Sequence, residues 1–563
     1  MNHSRWQLSA PAPPEFLAQV RELSPLIGQL LYNRGLTDPG QLESFLSADR
    51  RLAGDPFLLP DIQPAISRVF RALLCDEEIT VYGDFDTDGI TATAVLTQGL
   101  SQLGGKVTPY IPHRVHEGHG LRTNALDRLY DKGISLVITA DCGVTGTEEV
   151  WKAQRRGLDI VITDHHMPLD DIPPAIAIVN PKMPGSKYPF TELAGVGVAF
   201  KFFQAILQGL GRESGIEPLL DLVALGTIAD VMPLISENRY LVKAGLERLN
   251  HEPRLGIREM ITQTGLTPGK LDAEAVSWVI APRLNTTGRL DHALPSYQLL
   301  VTDSVREARE LSLWLEQSNS QRQQMTTDVV GRVRERILAE GIQPVLIAAD
   351  EEYPAGIIGL AAGRLSEEFY RPVVVIKTGK QVCHGSCRSI PEFNMIRALN
   401  RCHHLFHRFG GHPQAAGFSI PTKHLPELRE SLREQATTEL AGIDLRPHLN
   451  IDLEARLSDL GGNMFPTMRT LAPFGCGNPH PTFLSREVDV LGCQTMGSSG
   501  AHLRMRLRQD GIIWDAVAFG ASNYVKEITS PLDIVYNLEL DQWRGEERLR
   551  LNLCDFSPSN GHH

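Results

Sequence analysis

The segment from Val81 to Gly89 reads Val-Tyr-Gly-Asp-Phe-Asp-Thr-Asp-Gly, which sets Asp84, Asp86 and Asp88 at alternate positions directly after a β-forming run. Three carboxylates this close repel one another unless cations bind or protons are taken up. The spacing partly copies an EF-hand calcium loop. However, the twelfth loop position is Val95 rather than glutamate, and the preceding residues read as a strand. An acidic turn capping the next helix is the plain alternative. Two further apolar runs end in the same manner: Leu136–Ala140 leads into Asp141-Cys142-Gly143, and Ile160–Thr163 leads into Asp164-His165-His166. Asp230 closes the apolar stretch Ala224–Ala229. Each acid taken singly could be an N-cap or a turn residue. Taken together, Asp86, Asp88, Asp141, His165 and Asp230 could meet at one point. Oxygen ligands with one imidazole suit Mn²⁺ or Mg²⁺ better than structural zinc. Two such ions about 3.5–4 Å apart, bridged by one carboxylate, lower the pKa of a shared water and stabilise a leaving oxygen. The chemistry is hydrolysis of a phosphate ester or anhydride.

Those groups converge only if their strands end along one edge. Ile79–Tyr82, Val107–Ile111, Leu136–Thr139, Ile160–Thr163 and Ala177–Val179 read as short buried strands, with helices such as Thr91–Leu103 and Glu148–Arg155 between them. This pattern predicts a mostly parallel sheet covered on both faces, with ligands at the carboxyl ends of its strands. A mainly helical stretch, Val196 to Asn250, follows. Residues 303–340 read as one long helix with Leu311, Leu315, Met325, Val329, Val333 and Ile337 along one face. Ser318 and Arg322 break that face in the middle, which predicts either a cavity wall or a solvated connector. Pro344–Ala348 opens a second α/β unit that ends near Ile420, and a helix follows around Leu425–Leu440. Short alternating strands then dominate: His502–Arg508, Ala516–Phe519, Ile534–Leu540 and Arg548–Leu553 predict a small β-barrel. The expected division is an N-terminal extension (1–50) with a helical stretch near Phe16–Leu31, a first α/β domain (51–302), the connecting helix (303–340), a second α/β domain (341–442) and the barrel (443–563).

Composition narrows the class. The 563 residues are 42% hydrophobic with eight cysteines, which is ordinary globular usage with no disulfide scaffold. A formal charge of -12 argues against a general polyanion sponge but not against a basic groove. No apolar run is long enough to span a membrane and no secretory signal opens the chain, so a cytoplasmic location is expected.

The acidic motifs, with Pro282-Arg-Leu-Asn-Thr-Thr-Gly-Arg289, Gly410-Gly-His-Pro-Gln-Ala-Ala-Gly-Phe418 and Pro473-Phe-Gly-Cys-Gly-Asn-Pro479, resemble the DHH phosphoesterase superfamily, named for an Asp-His-His such as Asp164–His166. The likeness runs from about residue 50 onward and is strongest to its bacterial single-strand-specific 5′→3′ exonucleases. It implies a DHH catalytic domain, a DHH-associated domain and an oligonucleotide-binding (OB) barrel. It also implies metal roles for Asp84, Asp86, Asp88, Asp141, His165 and Asp230, with Asp141 as the bridge. By the same resemblance His166 faces the scissile phosphate or orients the water, and Asp164 holds an imidazole from behind. Two Mn²⁺ or Mg²⁺ ions are implied. Single-stranded DNA is the implied substrate, and single-strand-binding protein and a repair helicase are implied partners of a monomer acting in DNA repair and recombination. The chain departs from the family at Thr286-Thr287 (often Ala-Ala), at Cys387 (often Gly) and at His119 (often Tyr). The first two substitutions add bulk that could narrow a channel.

Other residues fall around this centre. Ser386 and Arg388 lie in a matched motif and are candidates for the terminal 5′-phosphate, as are Arg114, Arg283 and Arg289, since guanidinium forks suit phosphate; Asn285 and Arg322 are further candidates for substrate binding. Paired glycines at Gly410-Gly411 let backbone N–H groups approach a phosphate, with His412 as a further donor. Arg504, Arg506 and Arg508 share one strand face, and Arg548 and Arg550 share another, with Trp543 as a possible stacking platform. The cluster Cys383, His384, Cys387, Cys402, His403 and His404 matches no standard zinc finger. The enzyme alternative is a relative acting on pyrophosphate, cyclic dinucleotides or short oligonucleotides, which the barrel and its arginines argue against. A replication scaffold that lost the chemistry is disfavoured by the intact ligand set.

Overall fold

In a computed structural model, the structure describes residues 4–559 apart from 115, 213, 463, 498, 499, 544 and 545, and apart from the side chains of 542–547. The first sheet is built from short runs rich in β-branched residues, β1 (Glu78–Tyr82), β2 (Lys106–Tyr110), β3 (Leu136–Thr139), β4 (Asp159–Thr163) and β5 (Ala177–Val179), all largely buried except the half-exposed edge strand β2. All pair in parallel in the order β2-β1-β3-β4-β5. The order reverses between β1 and β3, so the loops after these two strands splay apart and leave a crevice. Asp84, Asp86 and Asp88 follow β1 and Asp141 follows β3. The helices Thr87–Gln102, Gly195–Gly209 and Leu220–Ala229 are buried almost throughout and form the main core against this sheet.

The long helix spans Val305–Glu340. Its apolar residues Val329, Val333 and Ile337 pack on the second domain, while Leu315 joins the first core. Between Leu315 and Val329 the buried positions are polar: Asn319 and Thr326. The second domain has a mixed sheet ordered β9-β10-β8-β7-β6, from β6 (Leu346–Asp350), β7 (Val373–Lys377), β8 (Val382–Arg388), β9 (Arg408–His412) and β10 (Ala415–Pro421). Cys383, Cys387 and Cys402 are buried in its apolar core rather than gathered around a cation site.

The barrel contains β11 (Thr482–Met496), β12 (His502–Gln509), β13 (Ile512–Ala518), β14 (Leu532–Trp543) and β15 (Glu546–Pro558), and it closes where β11 pairs with β14. The N-terminal segment breaks at Pro25 into two short helices, Pro14–Gln19 and Pro25–Asn33, rather than one stretch. Their Phe16, Ile27, Leu30 and Leu31 pack into the same apolar cluster as Leu503, Met505 and Phe556 of the barrel. The strand Arg5–Leu8 also pairs in parallel with His448–Ile451, just ahead of the barrel.

A buried arginine pins this combined unit to the first domain. Arg239 donates to the carbonyls of Phe45 (2.8 Å), Leu471 (2.9 Å) and Ala472 (2.8 Å), and lies 3.7 Å over the Phe45 ring. The Pro473–Pro479 motif completes the joint: Leu234 N–H donates to Cys476 C=O at 2.7 Å, and Arg34 Nε donates to Asn478 Oδ1 at 2.7 Å. Among the described residues, no helix is long and apolar enough to cross a membrane.

Candidate active site

Backbone devices at strand and helix ends aim the acidic side chains. Asp86 N-caps the helix Thr87–Gln102, accepting from Gly89 N–H at 3.0 Å, so the capping and the functional readings of this residue hold together. Asn285 Oδ1 accepts from Thr87 N–H at 2.8 Å and fixes the same turn. Asp88, one residue further, accepts from Gly195 N–H (2.7 Å) and Val196 N–H (2.8 Å), the opening turn of the helix Gly195–Gly209. Helix N-termini favour negative charge. Asp141 takes the left-handed conformation, with φ 64°, a strained state for a residue with a Cβ and one that concentrates at functional sites. Gly195 makes room for it: a Cβ there would lie 2.5 Å from the Asp141 side chain.

These groups converge. His165 Nε2 lies 3.1 Å from Asp141 Oδ1, 3.6 Å from Asp230 Oδ2 and 3.9 Å from Asp88 Oδ2. Three overlapping groups offer ligand atoms within 4.8 Å of one another: Asp88–His165–Asp230, Asp84–Asp86–Asp141 and Asp141–His165–His166. Asp141 belongs to two of them, and so does His165. Burial is the first cause of the raised carboxyl pKa values, and mutual repulsion the second. Asp88 is pushed up to about 6, Asp230 to about 8, and Asp141 well above the carboxylate range. Burial lowers His165 and so keeps its imidazole neutral, the form that ligates metals. Asp84 Oδ1 and Asp141 Oδ1 are buried and have no hydrogen-bond partner among the described residues. Hard oxygen donors, one neutral imidazole and unsatisfied buried oxygens fit two divalent cations of the Mn²⁺ or Mg²⁺ type.

Asp164 stands behind this shell. Its Oδ1 accepts from the N–H groups of His165 (2.7 Å) and His166 (3.1 Å) and from His166 Nδ1 (2.8 Å), and its Oδ2 accepts from Val144 N–H (2.9 Å). Burial opposes its charge, but His166 and His165 hold it below the usual carboxylate range. Burial likewise opposes the His166 cation, yet Asp164, Asp230 and Asp86 outweigh it and raise this imidazole to about 9.

A cavity of about 410 Å³ opens on the cage, lined by Asp84, Asp86, Asp88, Asp141, Asp230 and His166 on one side and by Arg114 and Arg289 on another. Arg289 is pushed down to about 9, by burial first and then by the positive charges of Arg114, Arg322 and Arg388. Among the described residues none of Arg114, Arg289 and Arg388 has a carboxylate partner; Arg114 lies 4.9 Å over the Phe85 ring. Ser386 and Arg388 alternate along β8 and share a face beside Gly359, at the start of the helix Ile358–Phe369. The two domains meet here: a Cβ at Gly356 would fall 2.2 Å from Arg289 C=O. Arg283 is engaged elsewhere, with Glu316 (2.5 Å) and Val279 C=O (2.7 Å). Arg322 donates to Asn319 Oδ1 at 2.8 Å. Gly411 and His412 are exposed on the edge strand β9, outside the cavity lining.

In the barrel Arg504, Arg506 and Arg508 alternate outward as expected. Acids on neighbouring strands temper that face: Arg508 lies 2.8 Å from Asp489 and Arg504 lies 3.8 Å from Asp515. Arg550 pairs with Glu539 (3.0 Å) and Asp541 (2.9 Å), Arg548 stands exposed opposite Asp541, and the Trp543 ring lies outside the described side chains. Thr286 and Thr287 are fully buried, bonded to Pro282 C=O (2.7 Å) and Ser296 Oγ (2.9 Å), so their added bulk packs the helix interface and leaves the cavity untouched. Cys387 is buried too, its thiol pushed up to about 12 by burial. His119 reaches the centre itself, with Nδ1 at 2.8 Å from Asp84 Oδ2. The sequence reading placed no role on it or on Phe85, although both sit within five residues of motif positions.

The DHH family N-terminal domain model matches residues 78–227, the DHHA1 domain model 343–438 and the RecJ OB domain model 451–555. The single-stranded-DNA-specific exonuclease RecJ of Bacillus subtilis is 36% identical over 562 residues, covering 99% of this chain and 71% of that protein. Its counterpart in Haemophilus influenzae is 31% identical, covering 94% of this chain and 96% of that protein. The crystal structure of RecJ in complex with Mn²⁺ from Thermus thermophilus superposes with a TM-score of 0.85 at 28% identity, covering 99% of this chain and 80% of that one. With all three domain models matched in order and a RecJ 36% identical over 99% of this chain, the chain belongs to the RecJ family of the DHH superfamily.

Proposed function

We propose that this chain is a metal-dependent exodeoxyribonuclease that removes nucleotides from the 5′ end of single-stranded DNA. One observation carries the reading: a single cavity is lined both by a carboxylate–imidazole cage and by Arg114 and Arg289, which have no ion pair with a carboxylate among the described residues. When bound, two divalent ions supply Lewis acidity at the scissile phosphate. Asp84, Asp86, Asp88, Asp141, His165 and Asp230 would hold them. Arg114, Arg289, Arg388 and Ser386 take the terminal 5′-phosphate, and Arg322 adds positive charge behind them. His166, anchored on Asp164, donates to a phosphoryl oxygen. A cavity in the size range of small-molecule pockets takes an unpaired nucleotide and leaves no room for a paired one. Asn285 serves by fixing the turn that carries Asp86, and Arg283 by bracing the adjoining helix against Glu316. The barrel grips the trailing strand through Arg504, Arg506, Arg508, Arg548 and Arg550. A nuclease confined to single strands depends on an opener of duplexes, so a repair helicase and single-strand-binding protein are the proposed partners of a cytoplasmic monomer.

The test is digestion of 5′-labelled and 3′-labelled single strands with Mn²⁺ or Mg²⁺, with Asp141→Ala in parallel. Early release of the 5′ label, abolished by EDTA and by the substitution, is the expected result. Early release of the 3′ label, or undiminished cleavage by the variant, overturns it.

A further inference from the structure

We propose that His119 is a positioning residue of the metal centre, which fixes Asp84 and thereby sets the affinity of one of the two ion subsites. The Asp84 carboxylate is buried, and its two oxygens differ. Oδ2 lies 2.8 Å from His119 Nδ1, whereas Oδ1 has no partner among the described residues. An ionised carboxylate only accepts, so the contact requires the proton on Nδ1. That bond leaves Oδ1 as the ligand atom of Asp84.

The loop is built to hold this imidazole. Gly118 and Gly120 flank it with φ of 77° and 81°, conformations that L side chains rarely adopt. A Cβ at Gly118 would lie 2.7 Å from Arg122 Nη2, the same group that donates to His119 C=O at 2.9 Å. Tyr82 OH donates to Gly120 C=O at 3.3 Å on the other side. The ring stands edge-on to Phe85 (6.1 Å between centroids) and to His166 (5.6 Å), so it cannot swing away without losing both contacts. Groups that orient a ligating carboxylate change metal affinity by about 10–100-fold when removed.

The proposal rests on Asp84 being a ligand, and the experiment separates the two claims. Mn²⁺ alone is titrated into the metal-free full-length chain by calorimetry and electron paramagnetic resonance. Variants are His119→Phe, which keeps a ring without the donor; His119→Asn, whose amide N–H can replace Nδ1–H; and Asp84→Asn. The expected result is that His119→Phe weakens one of two Mn²⁺ sites by about 10–100-fold and leaves the other unchanged, while His119→Asn restores most of the loss. Unchanged Mn²⁺ binding in His119→Phe, or equal weakening in Phe and Asn variants, overturns the role of His119. Loss of a nitrogen coupling to Mn²⁺ in His119→Phe overturns positioning in favour of direct ligation. Parent-like binding by Asp84→Asn instead overturns the ligand assignment of Asp84 beneath it.

Discussion

Replacing a ligand of this cage should stabilise the metal-free protein, and Asp230→Asn is the clearest case. Asp230 caps the helix Leu220–Ala229 and is pushed from 3.8 to about 8, first by burial and then by the charges of Asp88 and Asp86. An acid whose folded pKa is raised binds its proton more tightly in the native state. Stability is therefore lost as pH climbs from the unfolded value near 3.8 to about 8 and is flat above that. Titrating alone, such a group would cost about 5–6 kcal/mol at pH 8.5. Its neighbours share the protons and its side chain is 31% exposed, so about 2–3 kcal/mol is expected. The amide has similar size and no charge to pay for. Calorimetry in EDTA should show the Mn²⁺-responsive transition of the variant rising by about 5 °C at pH 8.5 and matching the parent near pH 4. With Mn²⁺ the order reverses, because the parent alone gains the full binding energy. A variant less stable than the parent in EDTA at pH 8.5, or a difference independent of pH, would refute the reasoning.

Asp164→Asn removes the charge that holds His166 cationic. In the metal-free protein, the His166 titration followed by NMR should fall from about 9, since the Asp164 hydrogen bond and charge are lost and only the weaker pull of Asp230 and Asp86 still opposes burial; a midpoint still near 9 would show another source for the shift. Arg388→Ala should raise KM for 5′-phosphorylated single strands by about 10–100-fold while changing 5′-hydroxyl strands by less than about 2-fold, and equal effects on both would place the phosphate elsewhere. Arg506 is exposed without an acidic partner among the described residues, whereas Arg508 is held by Asp489. Arg506→Ala should therefore reduce the salt slope of strand binding by about 0.7 and Arg508→Ala by less, a ranking that filter-binding across a salt series would confirm or reverse.

The first sheet was legible because each strand is a short β-branched run bounded by turns; the expected and observed limits differ by no more than one residue. The carboxylates were legible for the same reason, since parallel strands deliver whatever follows them to one edge. The strand β11 (Thr482–Met496) was not foreseen. Its alternation is interrupted by irregular pairing between Ser485 and Val488 and again between Val490 and Gly492, which blurs the period on which sequence reading depends. The barrel arginines were placed on the correct faces, but their partners depend on register: Arg550 lies opposite Glu539 only because β14 and β15 pair as they do. The arginine cluster gathers Arg114, Arg289, Arg322 and Arg388 from four distant segments, so no local spacing reports it. His119 stood out only as a departure from the family's usual tyrosine between two glycines, and only the fold shows what its ring touches.

The N-terminal helices and the barrel share one core, so residues 16–31 are completed by partners as distant in sequence as residues 503–556. On the ribosome, Phe16, Ile27, Leu30 and Leu31 emerge with an apolar face that Leu42 and Phe45 cover only in part, the remaining partners lying between Leu453 and Phe556. A chain cut short before the barrel leaves the rest of that surface bare, so the catalytic cage without the barrel should be digested by proteases faster than the two together.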